Sequence, residues 1–260
     1  MDDVLVAKIG GSTLGSHDTT LKELVELQHQ GVRSVVVHGG GPVITEWLDR
    51  HNIETRFEDG LRVTDAESLD VVVAVLAGVV NKGIVASLTK LGARAVGMCG
   101  ADAGMVQAKM RDEKLGFVGD VTEVDARVLE GITRTGVIPV IAPIGLLWEQ
   151  DRATDQLLNI NADSMAGAIA TALKARWLVF LTDVLGIRDG DGEPLSHLSS
   201  AEAKNLLDSG VIEGGMIPKV EACLSAAQAG CHSVIVDGRN ESVLTSVVRD
   251  ELVGTVLGED

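Results

Sequence analysis

Apolar positions along this chain follow two periods. Short apolar runs closed by glycine or turn residues read as buried strands: Val4–Ile9 before Gly10-Gly11, Arg33–Val37 before His38-Gly39-Gly40-Gly41-Pro42, Ala93–Met98, Val137–Ala142, Trp177–Leu181 before Thr182-Asp183, and Ser233–Val236. Between them the spacing turns helical. Asp18 is placed as an N-cap ahead of Leu21, Leu24 and Val25, with Gly31 as the stop. A helix is expected from Pro42, since proline suits a first turn. Asp65–Leu91 predicts one long apolar helix, with a break near Gly78 or Gly83; Asp125–Thr135, Asn161–Lys174, Ser199–Asp208 and Met216–Ala229 predict shorter ones. Lys109–Val121 reads as a loop or hairpin, and Leu147–Ile160 as a second hairpin.

Strands alternating with helices predict an α/β protein, a three-layer αβα sandwich around a mainly parallel central sheet. No low-complexity linker or fixed repeat interrupts the pattern, so a single domain over residues 1–260 is expected. A weak break near Ile160–Lys174 divides it into lobes of about 1–160 and 161–260.

Composition narrows the function. The formal charge of −16 argues against nucleic acid or an anionic membrane surface as partner. An acidic protein that handles anions must gather cations locally, so convergent lysines and arginines are the residues to follow. Cys99, Cys223 and Cys231 have no metal-site spacing and read as reduced thiols of a cytoplasmic protein. The acidic start is unlike a signal peptide, and no stretch is expected to approach a membrane span. With no tyrosine in the chain, that acid is excluded from catalysis.

The familiar fingerprints are missing: no GxxxxGK[ST] phosphate loop, no GxGxxG after a strand, no GxSxG elbow. Asp189-Gly190-Asp191-Gly192 has part of a calcium loop and reads as a turn. Five clusters remain. Lys8 closes a buried strand before Gly10-Gly11; it either meets an anion, which would offset its burial, or snorkels to the surface. His38–Pro42 puts bare glycine N–H groups at a helix start, an anion site or an ordinary tight turn, with His38 structural. Arg62, in Gly60–Asp65, offers a bidentate fork for a carboxylate, or is a surface arginine. In Asn159-Ile160-Asn161-Ala162-Asp163, Asp163 could organise nearby lysines and Asn159 could bond a ligand, or the stretch is an ordinary N-cap by Asn161 or Asp163. Lys219, after Gly214-Gly215-Met216-Ile217-Pro218, sits in a first helical turn where cations are disfavoured, so it needs an anionic partner.

In this order, with Thr182–Gly186 added, these motifs resemble the amino acid kinase family over essentially the whole chain, and within it the branch that phosphorylates N-acetyl-L-glutamate in arginine biosynthesis. The resemblance implies an acyl-amino-acid lobe followed by an ATP lobe. It implies Lys8 and Lys219 on the transferring phosphoryl group with Asp163 holding both, and Gly40, Gly41, Arg62 and Asn159 on the acceptor. Gly10, Gly11, Thr182, Asp183, Gly186, Gly214, Gly215 and Met216 would serve ATP, with Mg²⁺ carried on the ATP phosphates and no protein metal site. Such chemistry needs positioning and positive charge more than a general base, because the attacking carboxylate is already ionised. The segment Phe117–Asp120 is expected to close over the site. A kinase for a carrier-linked aminoadipate or glutamate is the near alternative, and a non-catalytic arginine-sensing domain the distant one; the latter tend to lose the lysines kept here. The first strand begins at Val4, so the extra N-terminal helix of arginine-inhibited hexamers is not expected; a homodimer insensitive to arginine is.

Overall fold

The computed structural model describes residues 3–10, 18–251 and 253–258. In chain order it contains β1 (Val4–Ile9), α1 (Asp18–His29), β2 (Arg33–His38), α2 (Gly41–Arg50), β3 (Phe57–Glu58), β4 (Leu61–Arg62), α3 (Ala66–Val73), α4 (Asn81–Lys90) and β5 (Ala95–Cys99). There follow β6 (Val106–Met110), β7 (Val118–Val124), α5 (Arg127–Arg134), β8 (Ile138–Ala142), β9 (Ile144–Glu149), β10 (Arg152–Ile160), α6 (Ala162–Leu173) and β11 (Trp177–Thr182). The last are β12 (His197–Ser199), α7 (Ser200–Asp208), α8 (Ile217–Ala227), β13 (His232–Asp237), α9 (Val243–Val248) and β14 (Thr255–Gly258).

The central sheet runs β12-β14-β13-β11-β1-β2-β8-β5, parallel except where β14 returns against β13. Its strands are apolar on both faces because helices cover both. Val4, Val6, Val35 and Val37 point to the layer of α5, α6, α7 and α8. Leu5, Ala7, Ile9 and Val36 point to the layer of α1, α2, α3, α4 and α9. The expected sandwich is therefore the observed one. Alternation fails in one region: β6, β7, β9 and β10 close into a small barrel beside the sheet, built from the two hairpins. The two-residue strands β3 and β4, the short strands β12 and β14 and the helix α9 are too short for a periodic signal and were not anticipated.

Most helix ends lie within two residues of expectation. Asp18 is itself the first helical residue of α1 rather than the residue flanking it. The long helix forms, with Asp65 as its N-cap accepting from Ser68 N at 2.9 Å. It does not break at Gly78 or Gly83. Instead α3 and α4 are joined by a π-helical stretch, Ala74–Val80, into one rod, Ala66–Lys90. That rod corrects a sequence expectation, being long and apolar enough to cross a membrane by length and composition. In this fold Leu69, Val72, Val75, Leu76, Val80, Ile84 and Leu88 are buried, most of them in one core cluster with the sheet. Its outer side leaves Val79 exposed, and Val96 is exposed on the edge strand β5, against which α4 packs.

Candidate active site

The site lies at the carboxyl ends of the parallel strands, where α/β sheets place their ligands. Lys8 is the penultimate residue of β1, buried to 7% exposure between β2 and β11. Asp163 opens α6 directly after β10. Its N-cap duty falls to Asn161, whose Oδ1 accepts from Asp163 N at 2.8 Å and Ser164 N at 3.1 Å. That resolves the capping alternative and leaves the Asp163 carboxylate for other partners. Lys219 stands in the first turn of α8, after the 3₁₀ turn Gly214–Met216.

Small residues bring the two helix starts together. A Cβ on Gly167 of α6 would lie 2.7 Å from the Ala222 Cβ of α8, so only glycine permits this approach. One turn toward each N-terminus from that contact, Lys219 Nζ meets Asp163 Oδ2 at 2.9 Å and Lys8 Nζ meets Asp163 Oδ1 at 2.7 Å. Lys219 Nζ also donates to Gly215 O at 2.8 Å. Burial drags Lys8 below the ordinary lysine value, with Asp163 opposing and Lys219 reinforcing. Burial works to raise the Asp163 carboxyl, but the two ammonium groups outweigh it and hold it low. With all three groups ionised, the cluster carries one surplus positive charge.

Beside it is a pocket lined by Gly39, Gly40, Gly41, Arg62, Asn159 and Asn161, with apolar walls that include Ile44, Phe57 and Leu76. Gly40 packs closely, since a Cβ there would sit 2.7 Å from Leu76 Cδ2 and displace that side chain; at Gly41 the corresponding space is open. The Arg62 guanidinium is buried. It donates to Thr45 Oγ1 at 2.8 Å, Gly41 O at 3.1 Å and Thr55 Oγ1 at 3.3 Å, and lies 4.8 Å over the Phe57 ring. Burial lowers its pKa, with Asp49 opposing at longer range. Asn159 Nδ2 donates to the buried Thr64 Oγ1 at 3.1 Å. Val118 also lines the pocket, and its strand is tethered: Phe117 N donates to Thr64 O at 2.7 Å, and Asn159 N to Phe117 O at 2.9 Å.

Of the remaining motif residues, Thr182 and Asp183 stand at the end of β11, beside β13. Thr182 Oγ1 lies within hydrogen-bond reach of two carbonyls, Val184 O in the following turn (2.9 Å) and Val236 O on β13 (3.0 Å). Asp183 is exposed, and its carbonyl accepts from Arg239 Nη2 at 2.8 Å. Gly186, at φ +152, faces Thr255 Oγ1 so closely that a Cβ would fall 2.5 Å from it. Gly214 has φ +56 and starts the turn that carries Gly215 and Met216. Gly10 N donates to Leu181 O at 3.3 Å, tying β1 to this edge. Gly11 lies outside the described residues.

Sequence reasoning missed the apolar walls, because it searched for polar groups. It also missed Thr45, Thr55 and Thr64, which carry no signal until the fold sets them against Arg62 and Asn159. Arg239, fixed bidentately on Asp237 at 2.9 and 2.7 Å, was missed as well. Asp189 Oδ1 accepts from Asp191 N and Glu193 N, so the aspartate-glycine stretch is a turn.

Comparison with known proteins agrees with this geometry. Residues 3–237 match the amino acid kinase family model. An acetylglutamate kinase of Dehalococcoides mccartyi is 40% identical over 255 residues, covering 98% of this chain and 94% of the relative. One from Campylobacter fetus is 42% identical over 264 residues, covering 98% and 92%. The crystal structure of smu.665 from Streptococcus mutans UA159 superposes over 100% of both chains, with TM-score 0.82 and 31% identity. Carbamate kinase from Giardia lamblia, bound to AMP-PNP, shares the fold at TM-score 0.71 and 17% identity over 99% of each chain. On this evidence of sequence and architecture together, the chain belongs to the amino acid kinase family.

Proposed function

We propose that this protein transfers the γ-phosphoryl group of ATP to the side-chain carboxylate of N-acetyl-L-glutamate, forming N-acetyl-L-glutamyl 5-phosphate for arginine biosynthesis. It is a kinase by family, and its full-length relatives at about 40% identity are acetylglutamate kinases. The observation that carries the reading is the Lys8–Asp163–Lys219 cluster, a compact surplus of positive charge beside a pocket holding a buried arginine. A regulatory domain would have no use for the paired lysines.

The roles follow from the geometry. Lys8 and Lys219 would face the transferring oxygens while Asp163 holds their spacing. Arg62, Asn159 and the N–H groups at Gly40 and Gly41 would hold the acceptor. Residues of the first lobe, to about 160, supply the acceptor pocket, and those after it the nucleotide. Exposed Val184, Leu185, Val211 and Ile217 give the second lobe an apolar surface suited to a base ring. Magnesium does not fit as a protein-bound ion. Both Asp163 oxygens are taken by lysines, and the described residues contain no cluster of three ligating side chains. It would arrive on the ATP phosphates and stay there. No general base is needed, because the acceptor carboxylate is ionised at neutral pH.

We place the enzyme in the cytoplasm, where its three thiols stay reduced. We also propose a homodimer through the exposed side of the Ala66–Lys90 rod and the neighbouring edge strand β5, where Val79 and Val96 lie open. Light scattering at twice the chain mass supports this, and a monomer overturns it. For the reaction, ADP release is measured with ATP, magnesium and either N-acetylglutamate or glutamate, with hydroxylamine trapping the acyl phosphate. Trapped product with the acetylated acid alone is expected. No product with either, from folded protein that binds ATP, refutes the assignment.

A further inference from the structure

Behind the acceptor pocket lies a buried polar network that the proposed reaction does not use. Asn81 is fully buried where the π-helical stretch passes into α4. Gly97 makes room for it: a Cβ there would fall 1.9 Å from Asn81 Oδ1. Asn81 Nδ2 has two hydrogens and three acceptors in reach, Val140 O at 2.9 Å, His38 Nε2 at 3.1 Å and Met98 O at 3.2 Å, and the two shorter contacts take them. Asn81 Oδ1 accepts from Lys82 Nζ at 3.0 Å, and Lys82 Nζ also donates to Gly97 O at 2.9 Å. Two carbonyls on one side and an ammonium on the other leave only one orientation for the amide.

That orientation sets His38, which is also fully buried. A bonded amide N–H can only donate, so the imidazole Nε2 must be bare. His38 Nδ1 lies 2.8 Å from Gly39 O, which can only accept, so Nδ1 carries the proton. Burial holds the imidazole pKa down to about 4, and the two charged groups acting on it, Lys8 from β1 and Lys82 from α4, push the same way.

The peptide bond carries this into the pocket. Gly39 C=O and Gly40 N–H belong to one planar trans unit and point in opposite directions. Holding the carbonyl toward the buried His38 aims the Gly40 N–H away from the core, on the side where Gly40 lines the acceptor pocket. The π-helical stretch adds a second constraint, because Leu76 and Val80 pack against Gly40 from beneath. π-helical turns recur at functional sites, and here the turn delivers both contacts.

We propose that Asn81 is a positioning residue for the acceptor: through the neutral Nδ1–H form of His38 it fixes the Gly39–Gly40 peptide so that the Gly40 N–H faces the acceptor acid. The inference rests on reading this pocket as the acceptor site, which the wild-type assay tests separately.

The test is Asn81→Ala with both substrates varied from pH 8 to pH 6. KM for N-acetylglutamate should rise about tenfold or more while KM for ATP stays within about twofold, as expected when a ground-state contact to one substrate is lost. Burial and the two lysines remain in the variant, so both proteins should stay flat from pH 8 to pH 6. Equal loss for both substrates overturns the proposal and leaves Asn81 structural. Should the variant not fold, imidazole ¹⁵N spectra of the wild type decide. A neutral Nδ1–H tautomer persisting at pH 6 supports the proposal, and an Nε2–H tautomer or a half-protonated ring at that pH overturns it.

Discussion

Asp163 and Arg62 are both buried charges at the carboxyl edge of the sheet, and they are compensated in opposite ways. Asp163 has an ammonium on each oxygen, so its own charge is more than answered and the cluster keeps one positive charge over. Arg62 is held by two hydroxyls, a carbonyl and the face of a phenyl ring, all neutral, with Asp49 acting on it only at longer range. Burying a cation on neutral acceptors is costly. A site that tolerates the cost keeps a whole charge available for a ligand. The first region is built to hold its geometry with or without substrate, and the second is completed by an anion.

The largest effect should come from breaking the first region. Asp163→Asn leaves two buried ammonium groups facing each other, and a loss of about 3–5 kcal/mol in unfolding free energy is expected, read by urea denaturation. A loss below 1 kcal/mol would mean the lysines are better solvated than their burial indicates. Acid should separate the two regions. The His38 pKa is 6.5 unfolded and about 4 folded, so the unfolded chain binds a proton that the folded chain refuses. Stability is then complete above 6.5 and falls as pH drops from 6.5 to about 4, by roughly 3 kcal/mol. Asp163, depressed in the folded state, contributes its loss only below the ordinary carboxylate value of 3.8. His38→Asn should flatten the upper slope; an unchanged slope assigns it elsewhere.

Removing charge from the phosphoryl side should act on rate. Lys8→Ala and Lys219→Ala are each expected to lower turnover about 10²-fold or more with circular dichroism unchanged, the loss typical of one transition-state contact. Near-normal turnover in folded Lys219→Ala would remove it from the chemistry. On the acceptor side, Arg62→Lys keeps the charge and loses the fork, so KM for the acid should rise about tenfold with kcat little changed. An unaltered KM would show that the acid does not touch Arg62.

Much of the frame is legible in the residues alone. Val4–Ile9 and Arg33–Val37 could only be buried strands, and the glycines after them only close turns. Lysines at a buried strand end and in a first helical turn announce anion chemistry, because each breaks a local rule. Asn81 and Lys82 interrupt an apolar run, and that polar break is legible in the sequence as well. The rest belongs to the tertiary structure. Lys8, Asp163 and Lys219 are distant in sequence and meet only because β1 sits beside β11 and because Gly167 lets α6 settle on α8. The threonines around Arg62 and Asn159 have no meaning until strands and loops converge. Local pattern determines which element forms and which face it buries, since that depends on neighbours within a few residues. Which charges share a partner depends on long-range packing, and only the assembled sheet decides it.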